Sequence, residues 1–210
     1  MSYFALLSII SGFISYIPSI IKSYGYIGII ALMILESASV PIPSEVVLPL
    51  SGFLAYQGLL NIYLAIAASV IGSIIGILID YYIGYIIGKD VIYKHSRRLH
   101  ISKESIDSFD RWFNKNGKAA VLFVRFIPLL RGLVSFPAGF SRMSIKDFIL
   151  YSAVGIVAYN TVLIYYGFYL GKAYSTASGS SYTVIAVMLA AFAIALYMIY
   201  YIFMRYIAKK

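Results

Sequence analysis

The sequence predicts an all-α membrane protein, an inverted repeat of a re-entrant hairpin plus a transmembrane helix, with about four full spans and two re-entrant hairpins. Three observations carry that class. Hydrophobic types make up 61% of the 210 residues and charged types only 12%, against roughly 45–50% and about 25% in soluble domains. A soluble enzyme, a disordered chain and a disulfide scaffold are excluded by that balance and by the lack of Cys. The charges also lie between long apolar blocks: residues 1–88 hold only Lys22, Glu36, Glu45 and Asp80. Finally, the chain repeats itself. A shift of 87 residues sets Pro41 on Pro128 and Gly52-Phe53 on Gly139-Phe140, and a shift of 83 sets Ser69 on Ser152, Gly72 on Gly155, Gly84 on Gly167 and Gly88-Lys89 on Gly171-Lys172.

The elements follow in order within a single membrane domain, 1–210. Crossing the hydrocarbon takes about 20 apolar residues. Tyr3–Ile21 meets this, and with no basic start and no Ala-x-Ala site it reads as a retained N-terminal helix (1–22) rather than a cleaved signal. Residues 24–60 form the first hairpin, with apolar arms Tyr24–Leu35 and Val46–Leu60 around Glu-Ser-Ala-Ser-Val-Pro-Ile-Pro-Ser-Glu. Short arms around a charged, Pro-rich break describe a segment that enters and returns. Residues 61–88 form a span. Residues 119–146 form the second hairpin, which carries Arg125 and Arg131 and is broken by Pro128 and Pro137. Spans follow at 147–171 and 182–204.

Between the units lies a basic, amphipathic segment, 89–118, with eight Lys and Arg residues. Ile106, Phe109, Trp112 and Phe113 share one helical face. Ser102 suits the N-cap, and Asn116-Gly117 suits the end of the helix. Such a helix lies on a membrane surface or packs on the bundle ends as a connector. Lys94, Arg97 and Arg98 attract anionic headgroups without specificity. The excess of Lys and Arg in this segment and at Arg205, Lys209 and Lys210 orients the chain, with the N- and C-termini cytoplasmic in a multi-pass cell-membrane protein. The formal charge of +9 therefore points to a membrane surface, not nucleic acid.

A hairpin returns to its own side and a span crosses once, so the second unit starts from the opposite side and the units are inverted. One hairpin carries Glu36 and Glu45, the other Arg125 and Arg131. Each charge facing lipid at the centre of a spanning helix costs about 2.5–3.5 kcal/mol. The four must therefore face each other or water. They either pin the hairpins together as structural salt bridges, or form a site. In the second case Arg125 and Arg131, flanking Pro128, present forks of donors to a phosphate. Glu36 and Glu45 compete with it for Arg or take up a proton. Pro41, Pro43, Pro128, Pro137 and Gly139 shape the turns, and Asp80 is a secondary site residue or a simple helix-pairing group. No metal-ligand cluster or cofactor motif appears, and the only His residues, His95 and His100, lie outside the hairpins.

At these hairpins the chain resembles the DedA family, also described as SNARE-associated or VTT-domain proteins. The segments that carry the resemblance are Glu36 to Phe53 (ESASVPIPSEVVLPLSGF) and Val124 to Gly139 (VRFIPLLRGLVSFPAG), with the glycine ladder Gly72, Gly76, Gly84 and Gly88 around Tyr81. It covers about residues 24–172, with Val40 where close relatives often have a second Pro. The resemblance implies lipid translocation, linked in bacterial members to undecaprenyl phosphate and in eukaryotic relatives to phospholipid scrambling, with functional residues at Glu36, Glu45, Arg125 and Arg131. The expected activity is thus a flippase for a polyprenyl phosphate, possible protons being its coupling ion. A passive phospholipid scramblase, a small-ion or solute transporter, a lipid phosphatase and a membrane scaffold are the alternatives. The phosphatase lacks a His near the Arg pair. The glycine ladders allow close helix approach within a subunit as easily as between subunits, so they set no oligomeric state.

Overall fold

The computed structural model of the chain describes residues 3–40, 42–95, 103–127 and 130–176, with side chains over 16–40, 42–88, 107–127 and 130–172. Pro41, Pro128, Ser102, His100 and the expected span 182–204 lie outside the described residues.

The described chain is helical throughout. Its elements are α1 (Tyr3–Ser37), α2 (Ser44–Tyr56), α3 (Ile62–His95), α4 (Lys103–Val124), α5 (Leu130–Leu133), α6 (Ser135–Phe140) and α7 (Ile145–Thr176). Tyr16–Ser37, Ile62–Gly88 and Ile145–Lys172 are each apolar and long enough to cross a bilayer. The 13 residues of α2 reach only about 20 Å and cannot. Asn61 starts α3 as an N-cap, its Oδ1 accepting from the backbone N–H of Tyr63 and Leu64.

Gly25, with φ of +57° and ψ of −128°, interrupts α1 and divides it into two helical stretches, close to the boundary expected after residue 22. One boundary differs from the sequence expectation. Asn116-Gly117 does not end α4. Asn116 Nδ2 donates to the Trp112 carbonyl, and the helix continues to Val124, with Val121 fully buried in the core. The aromatic face expected on α4 is divided. Phe113 is buried, whereas Phe109 and Trp112 remain partly exposed.

The long helices have defined directions. Ser69 and Ser73 bond Asn160, and Tyr81 stacks on Phe148 at 4.8 Å, so α3 and α7 are antiparallel. Gly72 meets Ile30 and Gly76 meets Ile34, so α1 runs parallel to α3. Lys118 pairs with Asp147 at 3.0 Å and Arg125 bonds Ser152, so α4 runs parallel to α7. Two apolar cores result. One joins α1, α2, the start of α3 and Ile164. The other joins the middle of α3 with α4, α6 and the start of α7.

Helix α2 packs on α7, and α6 packs on α3. On α2, Gly52 lies against the backbone of Ile164 and Phe168, while Gly167 of α7 lies against Pro49. On α6, Gly139 lies against the backbone of Tyr81 and Tyr85, while Gly84 of α3 lies against Phe136. The same residue shifts relate the two sets. A shift of 87 takes Gly52 to Gly139 and Pro49 to Phe136, and 83 takes Tyr81 to Ile164 and Gly84 to Gly167.

A methyl group at Gly52 or Gly139 would overlap a backbone carbonyl, which cannot move aside without separating the helices. Gly52→Ala and Gly139→Ala are therefore expected to lower stability by about 1–3 kcal/mol or more, seen as a lower melting temperature in detergent. Gly132→Ala, whose nearest neighbour is the Ser39 hydroxyl at 3.3 Å, should have a smaller effect.

Candidate functional site

The helices bring the charged residues of both hairpins together. Glu36 sits at the end of α1, one residue before Ser37, and Arg131 sits in the short α5. Arg131 Nη2 donates to Glu36 Oε2 at 2.7 Å, with both side chains less than a tenth exposed. The Ser37 hydroxyl donates to the same oxygen at 2.9 Å. On its other side the guanidinium lies over the Tyr159 ring, 4.5 Å from the centroid. That places a cation between a carboxylate and an aromatic face, a setting that suits the planar, weakly hydrated Arg better than Lys.

Arg125 follows the last turn of α4 and is buried. Its Nη1 donates to the Arg131 carbonyl, and its Nη2 reaches the Ser135 and Ser152 hydroxyls, each at 3.1 Å. Its Nε is buried without a partner. Thus the guanidinium is held by a carbonyl and hydroxyls, the Arg131 backbone among them, so the two Arg residues form one unit. A small cavity with room for about one water opens beside them, lined by Ser37, Ile77, Arg125, Arg131, Gly132, Ile156 and Tyr159.

Glu45 lies in the first turn of α2 and reaches this centre indirectly, its Oε1 accepting from the Tyr159 hydroxyl at 3.0 Å. Asp80 is buried on α3, where its Oδ2 accepts from the Ser39 hydroxyl at 2.5 Å. Ser39 has φ of +58°, an uncommon conformation for a non-glycine residue, held at the tip of the first hairpin. Asp80 therefore ties residue 39 to α3. Pro43 precedes α2 at its N-cap, and Pro137 and Gly139 lie within α6, Gly139 being the contact with α3.

Sequence reasoning named both Arg and both Glu residues but missed Tyr159, Ser37, Ser135 and Ser152. One of 21 Tyr residues carries no signal in composition. Buried serines at apolar spacing were visible, but their partners were not. Asn160, fully buried, donates to Ser69 and Ser73 and marks the α3–α7 crossing. Among the described residues no group of three or more His, Asp or Glu is arranged to hold a metal.

Apolar spanning helices around a buried cluster of guanidinium and carboxylate groups define an integral membrane protein with a polar centre. Within that class, the VTT-domain model matches residues 42–169, and the chain belongs to the VTT-domain, or DedA, family. It is 33% identical over 188 residues to the undecaprenyl phosphate transporter A of Bacillus subtilis (strain 168), covering 89% of this chain and 93% of that protein. It is 31% identical over 198 residues to the undecaprenyl phosphate transporter A of Staphylococcus aureus (strain NCTC 8325 / PS 47), covering 92% and 96%. It is also 32% identical over 201 residues to an alkaline phosphatase-like protein of Lactococcus lactis subsp. lactis (strain IL1403), covering 92% and 94%. No solved structure matches.

Removing one partner of a buried ion pair leaves the other charge unmatched, which costs about 3–5 kcal/mol. Glu36→Ala should therefore destabilise the protein strongly, and adding Arg131→Met should restore part of the loss. Thermal unfolding in detergent of the single and double variants measures both.

Proposed function

We propose that the chain is a transporter that carries a phosphate-bearing lipid between membrane leaflets, with the phosphate held by Arg125 and Arg131. The observation that carries this reading is the Glu36–Arg131 pair beside Arg125. A buried guanidinium is already occupied by an oxyanion, next to a second guanidinium held by a carbonyl and two hydroxyls. A phosphate monoester carries about −1.5 to −2 charge at neutral pH and offers three acceptor oxygens. It can replace the Glu36 carboxylate on Arg131 and reach Arg125 at the same time. Two relatives are named for undecaprenyl phosphate, which supports a polyprenyl phosphate as the cargo.

The chain architecture fits alternating access. Each hairpin and its following span form one unit, and the two units run in opposite directions, which supports an inverted repeat with re-entrant hairpins. Because each hairpin helix interlocks with the other unit's span through glycines, α2 with α7 and α6 with α3 are the parts that move as bodies. The contacts between those two bodies are partly polar: Tyr159 lies over Arg131, and Asn160 bonds Ser69 and Ser73. The closed cavity admits about one water, so phosphate enters only when Glu36 leaves. Glu36 and Glu45 are the gate and the proton-coupling groups. The basic segment 89–118 faces the cytoplasm, as do both termini.

The test reconstitutes the full chain in vesicles and follows leaflet exchange of a labelled polyprenyl monophosphate under several imposed pH gradients. Wild type should exchange the lipid faster with a gradient. Glu36→Gln and Glu45→Gln should lose that dependence while keeping the fold, since Gln has the shape of a protonated Glu without its ionisation. Wild-type exchange indifferent to the gradient identifies a passive scramblase instead. No exchange at all rejects lipid transport, and release of inorganic phosphate from the lipid would favour the phosphatase suggested by the Lactococcus name.

Arg131→Lys preserves charge but loses the planar fork that serves Glu36, Tyr159 and phosphate together. Exchange by this variant should fall by roughly tenfold or more, the weight of one hydrogen bond between charged groups. Retention of wild-type exchange would make the role of Arg131 electrostatic or structural only.

A further inference from the structure

Tyr159 occupies a place that neither hairpin motif explains. It projects from α7 between two charged residues that belong to different hairpins. Its ring lies against the Arg131 guanidinium at 4.5 Å, and its hydroxyl donates to Glu45 Oε1 at 3.0 Å. Glu36 takes an in-plane N–H of the same guanidinium at 2.7 Å. Arg131 is thus gripped at its face by Tyr159 and at its edge by Glu36. The ring swings away from Arg131 about its Cα–Cβ bond only if its hydroxyl leaves Glu45, since a buried hydroxyl needs a partner.

We propose that Tyr159 is the positioning residue through which Glu45 sets the pose of Arg131, an inference that rests on the lipid-phosphate reading for its consequence in transport. A hydroxyl bound to an ionised carboxylate is held about twice as strongly as one bound to a neutral acid. With Glu45 ionised, Tyr159 is fixed and the guanidinium plane is fixed with it, its edge turned to Glu36 or to phosphate. With Glu45 protonated, the hydroxyl bond weakens, the ring is released and Arg131 loses its support.

The charged and titratable groups facing this point come from each packed element. Glu36 comes from α1, Glu45 from α2, Arg131 from α5 and Arg125 from the turn after α4. Along α3 the cavity wall is Ile77, and Asp80 is engaged by Ser39. Glu36 acts on Arg131 directly, and Glu45 acts through the ring. The two acids therefore have separable effects on one cation.

The test needs a readout of Arg131 that does not depend on transport. In detergent, the full chain is treated with phenylglyoxal, and mass spectrometry gives the modification rate at Arg131, which reports how often that side chain is uncovered. Tyr159→Phe keeps the ring and removes only the link to Glu45. It should raise the rate by roughly tenfold, the weight of one hydrogen bond to a charged group. Glu45→Gln should raise it in the same direction, and the double variant should match Tyr159→Phe rather than multiply the two effects. Glu36→Gln should multiply with Tyr159→Phe, because it acts on the other edge. A Tyr159→Phe rate equal to wild type overturns the proposal, as does a double variant with Glu45→Gln that shows the product of the single effects. In vesicles holding labelled farnesyl phosphate, Tyr159→Phe should lose the response to a pH gradient. If wild type moves no farnesyl phosphate, the transport reading fails while the coupling measured at Arg131 still stands or falls on its own.

Discussion

Burying charge inside a bundle of apolar helices is the constraint on which the rest of this structure depends. Each unpaired ion at that depth takes a large share of the stability of a small domain. Arg131 is tolerated because Glu36 and the Tyr159 ring enclose it, and Arg125 because a backbone carbonyl and two serine hydroxyls receive its donors. Those partners come from α1, α7, the start of α6 and α5 itself. Satisfying two guanidinium groups therefore fixes where both hairpin tips meet.

Close helix approach is the second requirement, and glycine supplies it. Gly52 and Gly167 let α2 and α7 touch backbone to backbone, and Gly84 and Gly139 do the same for α3 and α6. Such contacts depend on shape and tolerate little sliding. The polar contacts of Glu36 and Ser39 with Arg131 and Asp80 each involve single side chains.

The α2–α7 and α6–α3 contacts are alike in packing. Residues 36 and 45 contribute carboxylates and residues 125 and 131 contribute guanidinium groups, so the centre is chemically asymmetric. Similarity to proteins named as undecaprenyl phosphate transporters extends across about nine-tenths of the chain. It therefore includes both hairpins and the spans that hold them.

Much of this was legible in the sequence because it follows from local chemistry. Apolar length decides whether a helix can cross, so Ile62–Gly88 and Ile145–Lys172 were evident to within a few residues. Charge in an apolar setting demands a partner, so Glu36, Glu45, Arg125 and Arg131 stood out before any fold was known. Other features arose only from tertiary packing. Whether α4 ends at Gly117 or continues to Val124 depends on what the following turn packs against. Which acid meets which Arg was equally hidden, because Glu36 and Arg131 are 95 residues apart and Glu45 and Tyr159 are 114 apart. Composition and periodicity act over a few turns of helix, so they determined the class of protein and the residues with unmet charge. Only the packing of one hairpin against the other's span decided that Glu36 takes the edge of Arg131, that Tyr159 takes its face, and that Glu45 is reached through a ring rather than by a salt bridge.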